Sequence, residues 1–287
     1  MARKNIFEIL EEKWNIIDEV KRIYNLLNEY CINVRYLGKK TVIEFVNEYC
    51  FYEWKNRGSY LNISDMADEL EIELDENDIP DSLTIIEILK YLEFAENLIM
   101  LCDIKIFEDN TKNDRDLYEY TYYQEYSALK ENINIVLEHL NYCSKKFEDD
   151  EKVILVEKST PAIAVAEIMD KDTGYKVLEY NHFLLEGDID RKKEILLQLG
   201  NKYEAIKNKI KESNNKLYDN INFMLNNMNI RHNNKKGKNK KEYVSKMRKS
   251  TLEKWYDETY QMLLLAFLLD EQIKRNVKIK NLKEKFE

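Results

Sequence analysis

Apolar residues recur along this chain at alternating spacings of three and four, the period of a helix that buries one face. Leu10, Trp14, Ile17, Val20, Tyr24, Leu27 and Cys31 trace the first stripe, which predicts a helix ending before Gly38. Val42, Phe45, Val46, Tyr49 and Cys50 trace a second over 41–54, and the pair suggests an antiparallel helical hairpin. Pro80-Asp81-Ser82 opens a third helix that runs through Ile85, Ile86, Leu89, Leu92, Leu98 and Leu101. Tyr126, Leu129, Ile133, Val136, Leu140 and Cys143 form the most regular stripe and place a helix across 118–144. Pro161 starts another helix, and Asp190 caps one that carries Leu196, Leu199, Tyr203, Ile206 and Ile210. Leu217, Ile221, Met224 and Met228 mark the next. The last carries Tyr256, Tyr260, Leu263 and Phe267, with Trp255, Met262, Ala266 and Leu269 widening its apolar face. Ser250-Thr251-Leu252-Glu253 reads as its capping box.

A period of two appears in Leu70-Glu71-Ile72-Glu73-Leu74, and Val153-Ile154-Leu155-Val156 is a short β-branched run. The predicted fold class is therefore all-α, a multi-helix bundle with short loops and short extended segments near 69–74 and 152–156. The polar, charge-mixed stretch 103–116 serves as a boundary between an N-terminal helical domain, 1–112, and a C-terminal helical bundle, 113–287.

Only two prolines and six glycines interrupt 287 residues, which fits long helices with short connections. Cys31, Cys50, Cys102 and Cys143 form no CxxC pair and have no histidine at zinc-ligand spacing, so they read as small buried hydrophobes in a reducing compartment. Asp75-Glu76-Asn77-Asp78 lacks the central glycine of a calcium loop, and neither a metal nor a cofactor is expected. Glu8 comes too early for a leader peptide's hydrophobic region, and Met262 to Leu269, the longest strongly apolar run, is too short to span a bilayer. The expected location is cytoplasmic, with no membrane partner.

Charge changes this picture in one place. The chain carries a formal net charge of -9, yet 231–249 holds nine Lys/Arg against one acid, Glu242. Lys235, Lys236, Lys238, Lys240 and Lys241 cluster around Gly237, and such a local excess points to an anionic partner such as RNA, with a solvated lysine loop as the plain alternative.

Just before the lysines stands Asn229-Ile230-Arg231-His232-Asn233-Asn234, at the junction of two predicted helices, and Trp255-Tyr256-Asp257 follows in an aromatic-rich helix. Over roughly 190–275 this arrangement resembles helical proteins of bacterial abortive-infection type and, more broadly, the HEPN superfamily. The resemblance implies phage defence or toxin function and metal-free RNA cleavage at a site composed by two subunits. In active members of that superfamily an arginine is followed, after four to six residues, by a histidine. Here that interval from Arg231 reaches Lys236, Gly237 and Lys238, so the complete motif is absent. Cleavage by the RNA's own 2′-hydroxyl needs a base, an acid and a fixed cation over the phosphate. The resemblance thus assigns Arg231 as phosphate clamp and His232 as general acid or base, with Asn227, Asn229, Asn233, Asn234 and the five lysines binding RNA. The competing reading is a non-enzymatic interaction or oligomerisation protein, with a homo-oligomer or another protein as partner, in which Arg231 pairs with a carboxylate such as Asp257 or Glu258. His139 and His182 read as structural, although Glu179 and Glu186 flank His182 as a general base would require.

Overall fold

Asn15 accepts a hydrogen bond from the Ile17 amide and opens the first helix, α1 (Ile16–Asn28), of the computed structural model, which describes residues 14–74, 82–111 and 120–286. Leu10, Pro80-Asp81, the acidic run 75–78 and the 112–116 end of the expected boundary lie outside the described residues.

The first helix ends before Gly38, at Asn28, which leaves Cys31 outside it. Glu29 is already extended, and the chain turns into a hairpin of β1 (Ile32–Val34) and β2 (Gly38–Lys40). Tyr36 (φ 67°) and Gly38 (φ 93°) supply the left-handed turn. Cys31 fits the helical stripe and equally an inward position beside β1, which is why its spacing misleads. Its amide donates to the Lys40 carbonyl and its carbonyl accepts from Tyr123. Thr41 and Glu44 then exchange reciprocal capping hydrogen bonds to start α2 (Val42–Tyr49).

The alternation at 70–74 is not a strand. It follows α3 (Ile63–Glu69), whose end is closed by Ile72 N–H to the Ala67 carbonyl and Glu71 N–H to the Asp68 carbonyl. This is a Schellman closure with Glu71 in the left-handed position (φ 56°) and Ile72 buried. The long α4 (Ile85–Thr111) continues through much of the expected boundary. After it, β3 (Tyr120–Tyr122) pairs antiparallel with β1, Ile32 opposite Tyr122 and Val34 opposite Tyr120. Next, α5 (Gln124–His139) ends where Asn141 turns left-handed (φ 60°), so Leu140 caps the helix and Cys143 lies on a strand.

That strand, β4 (Tyr142–Phe147), pairs with β5 (Lys152–Glu157), which realises the extended segment expected near 152–156. Side chains of α4 satisfy the β5 backbone as a neighbouring strand would. Asn97 bonds both the amide and the carbonyl of Val153, and Glu93 accepts from Leu155 N–H. Since β3 joins β1 and α5 packs on α1, 120–156 belongs with the amino-terminal part. The chain divides into units 1–156 and 157–287, not at 112/113. Among the described residues it is mostly helical, with two small antiparallel sheets.

The second unit is helical throughout its described core. Ser159 caps α6 (Thr160–Ile168), and Asp170 caps α7 (Lys171–Glu179). These helices approach so closely that a Cβ on Gly174 would stand 2.7 Å from the Ala166 carbonyl oxygen. Asp188, not Asp190, caps α8 (Ile189–Glu204) through the Arg191 amide. The expected continuous helix to Ile210 breaks at Ala205-Ile206, and α9 (Lys207–Ser213) resumes with Ile210 buried. Asn214 caps α10 (Asn215–Asn227); the short α11 (Glu242–Ser245) and the long α12 (Lys249–Lys283) complete the order.

Leu199, Tyr203, Ile221, Leu225, Tyr256 and Leu263 bring α8, α10 and α12 into one core. The capping box expected at Ser250-Glu253 does not form. Glu253 instead accepts from the Gly187 amide at 2.7 Å and pairs with Lys192 at 2.8 Å, because the largely buried ammonium of Lys192 needs a carboxylate. Among the described residues no helix is long and apolar enough to cross a membrane.

Candidate nucleic-acid interface

The lysine segment is a built loop. It leaves α10 at Met228, whose amide still reaches the Met224 carbonyl, and reverses at Asn229 (φ 63°). Arg231 N–H returns to the Leu225 carbonyl at 2.9 Å, and Met228 and Ile230 are buried beneath the turn. Asn234, only 1% exposed, is the centre of the loop. Its Oδ1 accepts from Asn229 N–H at 2.8 Å, its own N–H donates to Asn229 Oδ1 at 3.1 Å, and its Nδ2 donates to the Asn239 carbonyl at 3.1 Å. The Lys241 amide closes the far side on the Asn234 carbonyl at 2.8 Å. Asn233 Oδ1 accepts from Lys235 and Lys236 amides, while Asn227 Nδ2 donates back to Phe223. Of the asparagines expected to position RNA, Asn229, Asn233 and Asn234 thus hold the loop itself, and Asn227 bonds back into α10.

Arg231 and His232 diverge. The Arg231 guanidinium donates to the Gly200 carbonyl at 3.0 Å and forms an ion pair with Glu204, at the end of α8. Glu204, rather than Asp257 or Glu258, is the carboxylate it meets. Lys207 and Arg231 hold the Glu204 carboxyl below its ordinary range against the opposing effect of burial. A Cβ on Gly200 would stand 3.0 Å from the Leu225 side chain, so the glycine serves the close packing of α8 against α10, whereas the Arg231 guanidinium would meet it at an ordinary 3.7 Å. Asp257 accepts from Lys192 and from the Tyr180 hydroxyl. The His232 side chain is exposed.

The other histidines have local structural contacts. His139 stacks on Trp14 with centroids 4.2 Å apart, and His182 Nδ1 accepts from the Leu184 amide. The Glu179 carboxylate engages Arg191 and Lys176. Among the described residues, no group of three or more His, Cys, Asp or Glu is placed to hold a metal ion.

Lys240 and Lys246 share Glu242. No ion pair among the described residues engages Lys235, Lys236, Lys238, Lys241, Arg248 or Lys249, and all but the half-buried Lys235 are exposed. The loop that carries most of these charges starts after Met228 and ends at Tyr243, and both of these residues line a groove of about 420 Å³, whose walls are Asn220, Phe223, Met224 and Met228 of α10 and its end, and Trp255, Glu258 and Met262 of α12. Tyr243 and Met247 close the third side. Both ends of the lysine loop therefore run into the groove wall.

Phe223, Tyr243 and Trp255 are 53%, 49% and 44% exposed, so Trp255 does not join the buried face of its helix as its spacing predicts. This groove is invisible in the linear pattern because its aromatics come from three separate elements. A signal does exist at Phe223, a large apolar residue off the stripe formed by Ile221 and Met224. Comparison with protein-family models, curated proteins and solved structures yields no match to this chain.

Proposed function

We propose that the unit 157–287 is a nucleic-acid-binding module that holds RNA through the lysine loop without cutting it. The observation that carries this reading is the set of unpaired cations on a loop pinned by buried Asn234, inside a chain whose net charge is -9. A lysine run displayed on fixed backbone meets phosphates without first having to be ordered. The engagement of Arg231 by Glu204 and Gly200 supports the non-cleaving form. A phosphate clamp needs a guanidinium free to face the substrate, and His232 alone supplies neither the fixed cation nor a second proton-transfer group. In this reading Arg231 serves the fold, as the interaction-protein alternative also holds, and the HEPN-type activity is not retained.

The test is titration of a labelled single-stranded RNA pool by fluorescence anisotropy between about 50 and 200 mM salt. Six phosphate contacts would give a slope of log K against log salt of about -4. Replacing Lys235, Lys236 and Lys238 together by Ala should weaken binding and roughly halve that slope, with no cleavage in EDTA. Metal-free cleavage that disappears in both Arg231→Ala and His232→Ala would overturn this reading in favour of a HEPN-type nuclease. No binding even at low salt would remove nucleic acid altogether and leave a protein partner.

A further inference from the structure

We propose that the groove between α10 and α12 stacks an unpaired nucleobase of the RNA whose phosphates the loop holds, and that Glu258 selects guanine. This rests on the RNA-binding reading above and adds strand type and base preference to it. Three exposed aromatic rings surround a floor supplied by Met224, Met228, Met247 and Met262. Aromatic faces and polarisable sulfur suit a flat π-system, and 420 Å³ lies in the range of small-molecule sites. A groove walled by aromatics and one carboxylate could in principle also hold an alkylammonium ion. The cations next to the lining residues along the chain decide against that occupant: Lys241 stands two residues before Tyr243 and Arg248 directly after Met247, where they would repel a cation and attract a phosphate.

The polar groups of the groove also lack partners in the chain. Among the described residues, the Asn220 amide, the Tyr243 hydroxyl, the Trp255 indole N–H and the Glu258 carboxylate make no hydrogen bond or ion pair. On α12, Trp255, Glu258 and Met262 follow at three and four, so ring, carboxylate and sulfur share one face. An ionised carboxylate only accepts hydrogen bonds. Guanine offers it two adjacent donors, N1–H and N2–H. Adenine and cytosine offer one amino group each, and uracil flanks its single N–H with two carbonyl oxygens that a carboxylate repels. The expected order is guanine first, adenine and cytosine next, uracil last. A base in a duplex has neither face free, so the groove demands single strands.

The experiment compares short labelled oligouridylates with and without one central guanosine, and the same strands annealed to their complements. Trp255→Ala and Phe223→Ala, both at exposed positions, are checked for native circular dichroism. Each should weaken single-strand binding roughly ten-fold while leaving the salt slope unchanged, because stacking involves no counterion release. Glu258→Gln should abolish the preference for the guanosine-containing strand while retaining overall affinity within about three-fold. If the lysine-loop variant loses affinity but Trp255→Ala and Phe223→Ala bind as wild type, the groove is not a base site and the RNA reading stands. Equal affinity for single strand and duplex would likewise overturn the inference. If wild type binds no strand at low salt, the RNA reading itself has failed and this inference falls with it.

Discussion

Arg231 is the residue on which the two functional readings diverge, and its contacts make it testable as a structural group. Arg231→Ala removes an ion pair and a hydrogen bond to the Gly200 carbonyl, and should cost about 1–3 kcal/mol in denaturant unfolding. His232→Ala, at an exposed position, should fall within about 0.5 kcal/mol of wild type. Because the Glu204 carboxyl is held low by Lys207 and Arg231, its ion pairs contribute fully above the ordinary carboxylate range and are lost as pH falls through the folded-state value. The stability gap between wild type and Arg231→Ala should therefore narrow on acidification, which equilibrium unfolding at a series of pH values measures. Asn234→Ala leaves the Asn229 amide and the Asn239 carbonyl without their partner. It should cost about 1–3 kcal/mol and open the loop to trypsin, whereas the parent resists. The cysteines are a simpler matter: burial pushes the Cys31 thiol up to about 11 and that of Cys50 to about 12, so both behave as packing residues.

At the scale of elements, the helices are legible and their ends are not. Stripes such as Leu217 to Met228 and Tyr256 to Phe267 identify their helices because burial on one side imposes the period. Terminations depend on single residues that composition does not flag. Asn141 and Glu71 stop their helices in the left-handed conformation, where glycine is commoner. The hairpin 32–40 is masked by Cys31, which satisfies helix and strand spacing at once. The Ser250-Glu253 capping pattern fails because tertiary demand from Lys192 outweighs a local cap. Close approach of elements has its own test. In a helix interior alanine is intrinsically better than glycine by about 1 kcal/mol, yet Gly174→Ala drives a methyl to 2.7 Å from the Ala166 carbonyl oxygen. The clash should win, with a net loss of about 1–3 kcal/mol seen as a lowered thermal midpoint.

For the whole molecule, a helical class with short extended pieces is readable from periodicity, but the division at 156/157 is not. That division follows from β3 pairing back to β1 across most of the first unit, a long-range contact with no local signature. The candidate site divides in the same way. The lysines and their unusual charge are plain in the linear chain, while the groove exists only once α10, α11 and α12 are assembled. The buried core of the second unit runs from Ala162 to Phe267, with Leu268 and Leu269 packed against it, so 157–287 expressed alone should melt cooperatively with a helical circular dichroism spectrum. A gradual, non-cooperative loss of signal would show that the unit depends on the rest of the chain. Within it, α12 is one continuous helix in two physical regimes. Its buried positions run from Leu252 to Asp270; beyond Asp270 no residue is buried, and the helix is supported by ion pairs such as Arg275–Glu271 and Lys280–Glu284. Exposed pairs of that kind stabilise a helix by only a few tenths of a kcal/mol each. Amide protons along α12 should consequently exchange on two clocks: those before Asp270 only when the unit opens as a whole, those after it whenever the helix frays from its end.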